Sequence, residues 1–191
     1  MGADPYCISA NTEPRFPEDY AVAQDGSLKN AFVHIKEGLG SFSYDIPTEP
    51  VVLDQLRCRY EPHVFGVMVG QPVAIVNSDA TLHNIHFEPV INREFNLGQP
   101  TQGMRTLQTF TAREVMVPFG CDVHRWMNAY AGVLDHPFFA VTDAAGRFEI
   151  RGVPPGTYVI EVWHERLGTK TAPVTVEKQS AVNTTFTYVM P

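Results

Sequence analysis

The part of the sequence on which the fold and the chemistry depend reads Cys121-Asp122-Val123-His124-Arg125-Trp126-Met127. It places a thiol, an imidazole and a thioether at three-residue intervals, so all three can point into one loop. Such sulfur and imidazole donors select copper rather than magnesium or calcium. The spacing predicts a copper-binding loop that needs a second histidine from a distant strand, because a blue-copper plane takes two histidines and one cysteine.

Two other interpretations of this loop stay open. A cysteine and a histidine separated by two residues also form half of a zinc site. The three side chains can also simply fill core and surface positions.

A second histidine is available on a strand upstream. Strand alternation puts His83 on the same face as Ile85 and Phe87, whereas Asn84 and His86 point to the other face. His83 starts this strand, where a loop from a neighbouring strand can meet it. It is therefore the candidate for the missing copper ligand.

Length and charge narrow the function classes. The 191 residues suit one large domain or two small ones and can bury a core without a metal, so we expect a bound metal to be functional. The net charge is −7 and Lys and Arg do not cluster, so nucleic acid is not an expected partner. No apolar run is long enough for a membrane span, and the first residues lack signal-peptide features, so the chain is either cytosolic or exported with its signal removed.

The three cysteines give information about the cellular compartment in which the protein folds. If Cys121 binds metal, Cys7 and Cys58 remain as a pair, which an oxidising compartment would join in a disulfide. The alternative is two unrelated buried thiols.

The rest of the chain reads as all-β. Residues 1–20 carry Pro5, Pro14 and Pro17 and are predicted to be an extended N-terminal arm without a helix. Residues 88–103 are predicted to be a long irregular connection. No segment shows a helical period. Short β-type runs separated by turn residues are predicted near residues 28–35, 51–59, 64–69, 73–77, 83–87, 106–110, 114–117 and 129–134.

The C-terminal part has the same character. A hairpin is predicted around the turn at residues 142–147, with Phe148 and Ile150 in its second strand. Further strands are predicted at residues 157–163, 173–176 and 183–188.

With His83 followed by Asn84, and with Cys121, His124 and Met127 in C-x₂-H-x₂-M spacing, the chain resembles the cupredoxins, blue-copper electron carriers such as plastocyanin and amicyanin. The resemblance covers about residues 51–135. It implies an eight-stranded Greek-key β-sandwich, placed at residues 51–137, with one copper per chain near one end.

The resemblance also implies a role for each of these residues. His83 and His124 would supply imidazole nitrogens, Cys121 the equatorial thiolate and Met127 the weak axial sulfur. Asn84 would hydrogen-bond across to the cysteine loop from the second coordination shell and tune the site.

The C-terminal residues Val141-Thr142-Asp143, Gly146, Phe148 and Pro154-Pro155-Gly156-Thr157-Tyr158 resemble the carboxypeptidase regulatory-like, or transthyretin-like, β-sandwich. Such modules usually begin with a segment similar to residues 26–33, which here lies far upstream. We therefore expect residues 21–50 to complete the module at residues 138–191, with the copper domain inserted between them. The fold expected for the whole chain is all-β, a Greek-key cupredoxin β-sandwich with a second, smaller β-sandwich module.

The function implied is that of a type 1 (blue) copper protein, periplasmic or otherwise exported. It would carry single electrons between redox partners such as a cytochrome c and would not be a catalyst. His124, expected near the surface, would be the electron port, with Arg125 and Trp126 beside it.

A second hypothesis is a further metal site with an enzymatic or copper-storage role. It rests on four more histidines, and surface or hydrogen-bonded histidines are its alternative. These residues are His63, His86, His136 and His164.

Overall fold

A computed structural model describes residues 4–13, 16–178 and 180–189, and in that part the regular secondary structure is strand apart from one short helix. The all-β prediction is confirmed. The chain divides into two compact units, unit 1 from residues 1–16 and 44–136 and unit 2 from residues 17–43 and 137–191. The elements are α1 (Pro5–Ala10), β1 (Phe32–Glu37), β2 (Val51–Gln55), β3 (Tyr60–Glu61), β4 (Val64–Met68), β5 (Pro72–Asn77), β6 (His83–Phe87), β7 (Phe95–Gln99), β8 (Arg105–Thr109), β9 (Glu114–Gly120), β10 (Asn128–Leu134), β11 (Phe139–Val141), β12 (Gly156–His164) and β13 (Gly168–Val176).

Unit 1 contains two sheets. One is five-stranded in the order β4-β10-β9-β6-β7, and the other is four-stranded in the order β3-β2-β5-β8. The pairs β4/β10 and β2/β5 are parallel and the other pairs are antiparallel. Apolar side chains from both sheets, among them Leu53, Ile75 and Val133, form one buried cluster. The described part of unit 1 thus has nine strands, counting the two-residue β3, where the resemblance implied eight.

The predicted irregular connection at residues 88–103 is partly wrong, because it contains β7. This strand pairs antiparallel with β6, with Phe95 opposite Phe87 and Gln99 opposite His83. Its central residues are exposed, so it lacks the apolar alternation that marks a half-buried strand. Pairing with β6, rather than its own sequence pattern, makes it a strand.

The predicted extended N-terminal arm is wrong over Pro5–Ala10, which form helix α1. Asp4 is the N-cap, since its Oδ1 accepts hydrogen bonds from the backbone N–H of Tyr6 at 2.8 Å and of Cys7 at 3.2 Å. Proline is well suited to the first helical position, where its missing N–H has no partner to lose. Residues 1–3 and 14–15, including Pro14, lie outside the described residues.

The predicted disulfide is confirmed. Cys7 of α1 is bonded to Cys58, which precedes β3, and both residues are fully buried. The bond fastens the helix to the body of unit 1.

Unit 2 contains a four-stranded sheet in the order β11-β1-β12-β13. Strand β1 is antiparallel to both neighbours, with Phe32 opposite Val141 on one side and Trp163 on the other. Val33, Ile160 and Val162 belong to its small buried cluster.

The strands predicted around Phe148 and Ile150 and at residues 183–188 are not formed. The aromatic side chains of these segments nevertheless pack against the sheet of unit 2. In the segment at residues 183–188, hydrogen bonds to the sheet involve side chains rather than a backbone ladder. Tyr188 donates its hydroxyl to the carbonyl oxygens of Val162 and Gly168, and the Lys170 ammonium donates to that of Thr187.

Among the described residues, no helix is both long enough and apolar enough to cross a membrane.

Candidate metal centre

Three structural elements of unit 1 bring the predicted ligands together. His83 is the first residue of β6, Cys121 directly follows β9, and Met127 directly precedes β10. Two backbone hydrogen bonds close the loop between β9 and β10. The N–H of Cys121 donates to the carbonyl oxygen of Met127 at 3.3 Å, and the N–H of Met127 donates to the carbonyl oxygen of His124 at 2.8 Å. His124 is thereby held inside the turn of the loop.

The donor atoms of three predicted ligands converge. One ligand atom each from His83, Cys121 and His124 lies within 4.8 Å of the others, and all three residues are buried. The two histidine Nδ1 atoms are 2.9 Å apart, and the Cys121 Sγ lies 4.0 Å from the Nδ1 of His124. Met127 is buried in the same hydrophobic cluster as Cys121.

The environment of Cys121 favours the thiolate, the form in which cysteine binds metals. Burial by itself raises the pKa of the thiol. The hydrogen bond with His83 and those from backbone N–H groups outweigh burial and hold the pKa of Cys121 below its ordinary value. The backbone donors include Asn84 at 3.5 Å and His124 at 3.3 Å from the sulfur.

Asn84 ties β6 to the cysteine loop. Its Oδ1 accepts from the N–H of Asp122 at 2.6 Å, and its Nδ2 donates to the Asp122 carboxylate at 2.9 Å. Because this side chain turns into the loop, Asn84 is buried although alternation placed it opposite the apolar face. The bond joins the segments that carry His83 and Cys121.

Asp79 is a functional residue that the sequence analysis missed. It is completely buried, and its carboxylate accepts from the backbone N–H groups of Arg57 and Cys58, both at 2.7 Å. Its Oδ2 also lies 2.9 Å from the Nε2 of His83. Burial alone would raise the pKa of Asp79, but these hydrogen bonds hold it below its ordinary value. The four-residue spacing to His83 is the only signal in the sequence that could have found it.

The same carboxylate affects His83. Burial acts to lower the pKa of the imidazole, but the hydrogen bonds with Asp79 and Cys121 prevail and raise it to about 9. A protonated His83 donates from Nε2 to Asp79 and from Nδ1 to the Nδ1 of His124. The carboxylate on Nε2 also fixes the orientation in which Nδ1 faces the other ligands, the usual arrangement behind a metal-binding histidine.

The expectation that His124 lies near the surface is wrong, because only 2% of this residue is exposed. Asp4 covers the Nε2 edge, with its Oδ2 at 3.0 Å, and the Cys7 sulfur lies 3.7 Å away. Trp126 packs beside the ring at a centroid distance of 5.0 Å. Asp4 is a second residue missed from the sequence, where 120 positions separate it from His124.

The four additional histidines have other surroundings. His86 faces Asp122 and Glu94, each at 3.1 Å, and the hydrogen bond to Asp122 raises its pKa. The Nδ1 of His63 lies 3.1 Å from the carbonyl oxygen of Asn128. His136 and His164 are buried. In the described ranges, none of the four belongs to a group of three or more close ligand atoms.

Two further groups of close ligand atoms combine Asp4, Cys7 and His124, and Cys58, Asp79 and His83. Both contain a disulfide cysteine, which has no thiolate to offer. The convergent set of His83, Cys121 and His124, with Met127 beside it, matches the soft and borderline donors that copper prefers, and the residues therefore fit this metal.

The chain is similar to known proteins in the sequence of its C-terminal part and in the structure of about half of its length. Residues 133–189 match the family model of the carboxypeptidase regulatory-like domain. No curated protein matches the chain in sequence. Among solved structures, a copper-containing nitrite reductase from Thermus scotoductus SA-01 is 20% identical, with a TM-score of 0.43, over 52% of this chain and 26% of the reductase. The chain thus spans about a quarter of that enzyme's length.

Amicyanin structures are also similar. A Cu(I) form of one amicyanin variant is 24% identical, with a TM-score of 0.40, over 53% of this chain and 97% of amicyanin. A second Cu(I) variant is 25% identical with the same coverage. About half of the chain is similar to these solved structures, and residues 133–189 are similar to carboxypeptidase regulatory-like domains.

Proposed function

We propose that the protein is a type 1 copper protein that carries single electrons, with one copper bound by His83, Cys121, His124 and Met127. The observation that carries this proposal is the convergence of two imidazoles and a thiolate-favouring cysteine within 4.8 Å in the interior of unit 1. Such a ligand set, with a weak axial methionine, is characteristic of blue-copper electron-transfer sites.

Bound copper would supply a Cu(II)/Cu(I) couple that accepts one electron from a donor protein and gives it to an acceptor. The chain's contribution is to hold the ligands still. Asp79 orients His83, and Asn84 fastens β6 to the cysteine loop. Burial of His83, Cys121 and His124 keeps water away from their donor atoms. A site that changes little between two oxidation states suits electron transfer better than substrate binding.

The redox partner, in this proposal, is a protein such as a cytochrome c. With His124 covered, the exposed residues on the same loop are Asp122, Val123 and Arg125. Trp126 is packed, since its Nε1 donates to the Cys58 carbonyl at 3.1 Å. Contact with a partner would therefore involve the exposed loop residues rather than the ring of His124.

The domain arrangement and compartment belong to the same proposal. Residues 51–137 would be the copper domain, inserted into a carboxypeptidase regulatory-like module of residues 138–191 completed by 21–50. Pairing of β1 with β11 and β12 supports this. The disulfide supports an exported, periplasmic protein, because such bonds persist in oxidising compartments.

The test is an optical and electron paramagnetic resonance spectrum of the copper-loaded protein, with copper analysis. We expect one copper per chain and an intense visible absorption from thiolate-to-Cu(II) charge transfer. In Cys121→Ser this band should disappear, because serine offers no thiolate. Met116→Leu is the control, since Met116 also lies in unit 1 but outside the loop, and it should keep the band.

A copper-loaded protein without this absorption, or a Cys121→Ser variant that keeps it, would contradict the proposal. A stoichiometry above one copper per chain would instead support the second-site hypothesis.

A further inference from the structure

Helix α1 covers one edge of a predicted copper ligand. The two oxygens of Asp4 have separate tasks: Oδ1 caps the helix, and Oδ2 accepts from the Nε2–H of His124 at 3.0 Å. The hydroxyl of Thr81 also donates to Oδ2, at 3.1 Å. Asp4 is thus held by its own helix and by the turn before β6.

Three attachments keep α1 in place. Cys7 is bonded to Cys58, and the Tyr6 hydroxyl donates to the Oδ1 of Asp79 at 3.1 Å. Asn11, at the end of the helix, donates to the carbonyl of Arg57 at 3.0 Å. A six-residue helix is too short to be stable by itself, so these attachments decide where Asp4 lies.

We propose that Asp4 is a positioning residue for His124, and that helix α1, fastened by the Cys7–Cys58 disulfide, is a cap that holds it in place. The proposal rests on the proposed function for the identity of the metal, but not for the geometry. A neutral imidazole carries its proton on one nitrogen only, and the acceptor on one side decides which. With Oδ2 accepting from Nε2–H, the lone pair of Nδ1 faces His83 and Cys121.

The arrangement mirrors the one behind the other histidine. Asp79 stands behind Nε2 of His83 as Asp4 stands behind Nε2 of His124, so both Nδ1 atoms point toward each other. Asp79 precedes its histidine by four residues in the same turn, whereas Asp4 arrives from the N-terminal helix. The residue that orients His124 therefore belongs to the helix that the disulfide holds, whereas the residue that orients His83 lies in the turn before β6, where Tyr6 and the N–H of Cys58 also contact it.

The variant that separates positioning from capping is Asp4→Asn. The asparagine oxygen can still cap α1, since asparagine is as good an N-cap as aspartate. Its NH₂ group then replaces Oδ2 and cannot accept from Nε2–H. Asp4→Ala removes both functions, and Ser9→Ala is the control, because Ser9 lies on the same helix with its hydroxyl on the carbonyl of Tyr6.

The first readout is the tautomer of His124 in the metal-free protein, measured by the ¹⁵N chemical shifts of the imidazole. We expect the Nε2–H form in the unmodified protein and in Ser9→Ala, and a population with the proton on Nδ1 in Asp4→Asn. The second readout is Cu(I) affinity measured by chelator competition. It should fall about 10- to 100-fold in Asp4→Asn, as for loss of other outer-shell partners.

The double variant Cys7→Ser/Cys58→Ser tests the tether. It should shift the His124 tautomer as Asp4→Asn does. If Asp4→Asn leaves both the tautomer and the Cu(I) affinity unchanged, Asp4 only caps the helix and the inference is overturned. Because the tautomer is read without metal, a shifted tautomer supports the inference even in a protein that fails to bind copper, which would overturn only the proposed function.

Discussion

Both units bury a histidine beside a carboxylate, and yet only one of these histidines belongs to a candidate metal centre. In unit 1, His83 faces Asp79 through Nε2 and another imidazole through Nδ1. In unit 2, His34 faces Glu161 at 3.3 Å through Nε2 and the carbonyl of Ile35 at 3.2 Å through Nδ1. Both nitrogens of His34 thus face oxygen acceptors. Under the proposed function, the partner of the second nitrogen, rather than burial or the carboxylate, would distinguish the copper ligand His83 from His34.

Replacing each histidine by glutamine tests the difference between them most directly. His83→Gln should abolish the visible thiolate-to-copper band and lower Cu(I) affinity by at least about 100-fold, because it removes a ligand rather than an outer-shell partner. His34→Gln should leave both unchanged. Absorption spectra and chelator competition are measured on both variants. Equal losses of Cu(I) affinity in His83→Gln and His34→Gln would show that the two histidines do not differ in metal binding.

A core substitution tests how much side-chain packing contributes to the stability of unit 1. Leu53 is fully buried in unit 1, and Leu53→Ala should lower the free energy of unfolding by about 2–5 kcal/mol, because it leaves a cavity. Leu107→Ala on β8 is the matched control, since Leu107 is 52% exposed, and it should cost less than about 0.5 kcal/mol. Urea unfolding of both variants measures the two losses of unfolding free energy. Similar losses in Leu53→Ala and Leu107→Ala would contradict the prediction.

Glu114 is a buried carboxylate of unit 1 that holds the loop between β6 and β7 rather than a histidine. It accepts from the backbone N–H groups of Ile91 at 3.1 Å and of Asn92 at 2.9 Å. Burial acts to raise the pKa of Glu114, but the hydrogen bond from the Asn92 side chain at 3.0 Å, together with those from the backbone, holds it below its ordinary value of 4.5. The stabilisation is therefore present above about pH 4.5 and is lost as the pH falls through the lowered pKa.

We expect Glu114→Gln to cost about 1.5–3 kcal/mol at pH 7, the range for hydrogen bonds to a charged group. The difference between the two proteins should shrink as the pH falls below 4.5. Unfolding free energies measured from pH 7 to pH 3 test this. A difference that does not change with pH would mean that the carboxylate charge does not matter.

The smallest effect is expected at the ion pair of unit 2. Lys36 lies 2.6 Å from Glu161, but 41% of its side chain is exposed. Solvent and salt screen such a pair, so Lys36→Gln should cost no more than about 1 kcal/mol, and less at high salt. Copper affinity should not change. Thermal unfolding at low and high salt measures the effect, and a larger, salt-independent loss would place this network closer in importance to the one around His83.

Local sequence patterns served well where structure depends on near neighbours. The pattern of short β-forming runs bounded by turn residues located β2, β5, β6 and β10 to within a few residues, because β-branched and aromatic side chains favour strands. It failed for β7, whose exposed residues carry no alternation, and for α1, which is too short to show a helical period. In unit 2 it predicted strands where aromatic side chains pack without a backbone ladder.

The sequence by itself determined which donor atoms are available: the spacing of Cys121, His124 and Met127, and the position of His83 at the start of a strand. It also left two cysteines that proved to be paired. The position of Asp4 behind His124, and the burial of this ring, became visible only in the folded chain. Distance along the chain explains this, because local patterns report backbone periodicity over a few residues, whereas a contact across 120 positions is set by packing and by the disulfide that holds α1 in place.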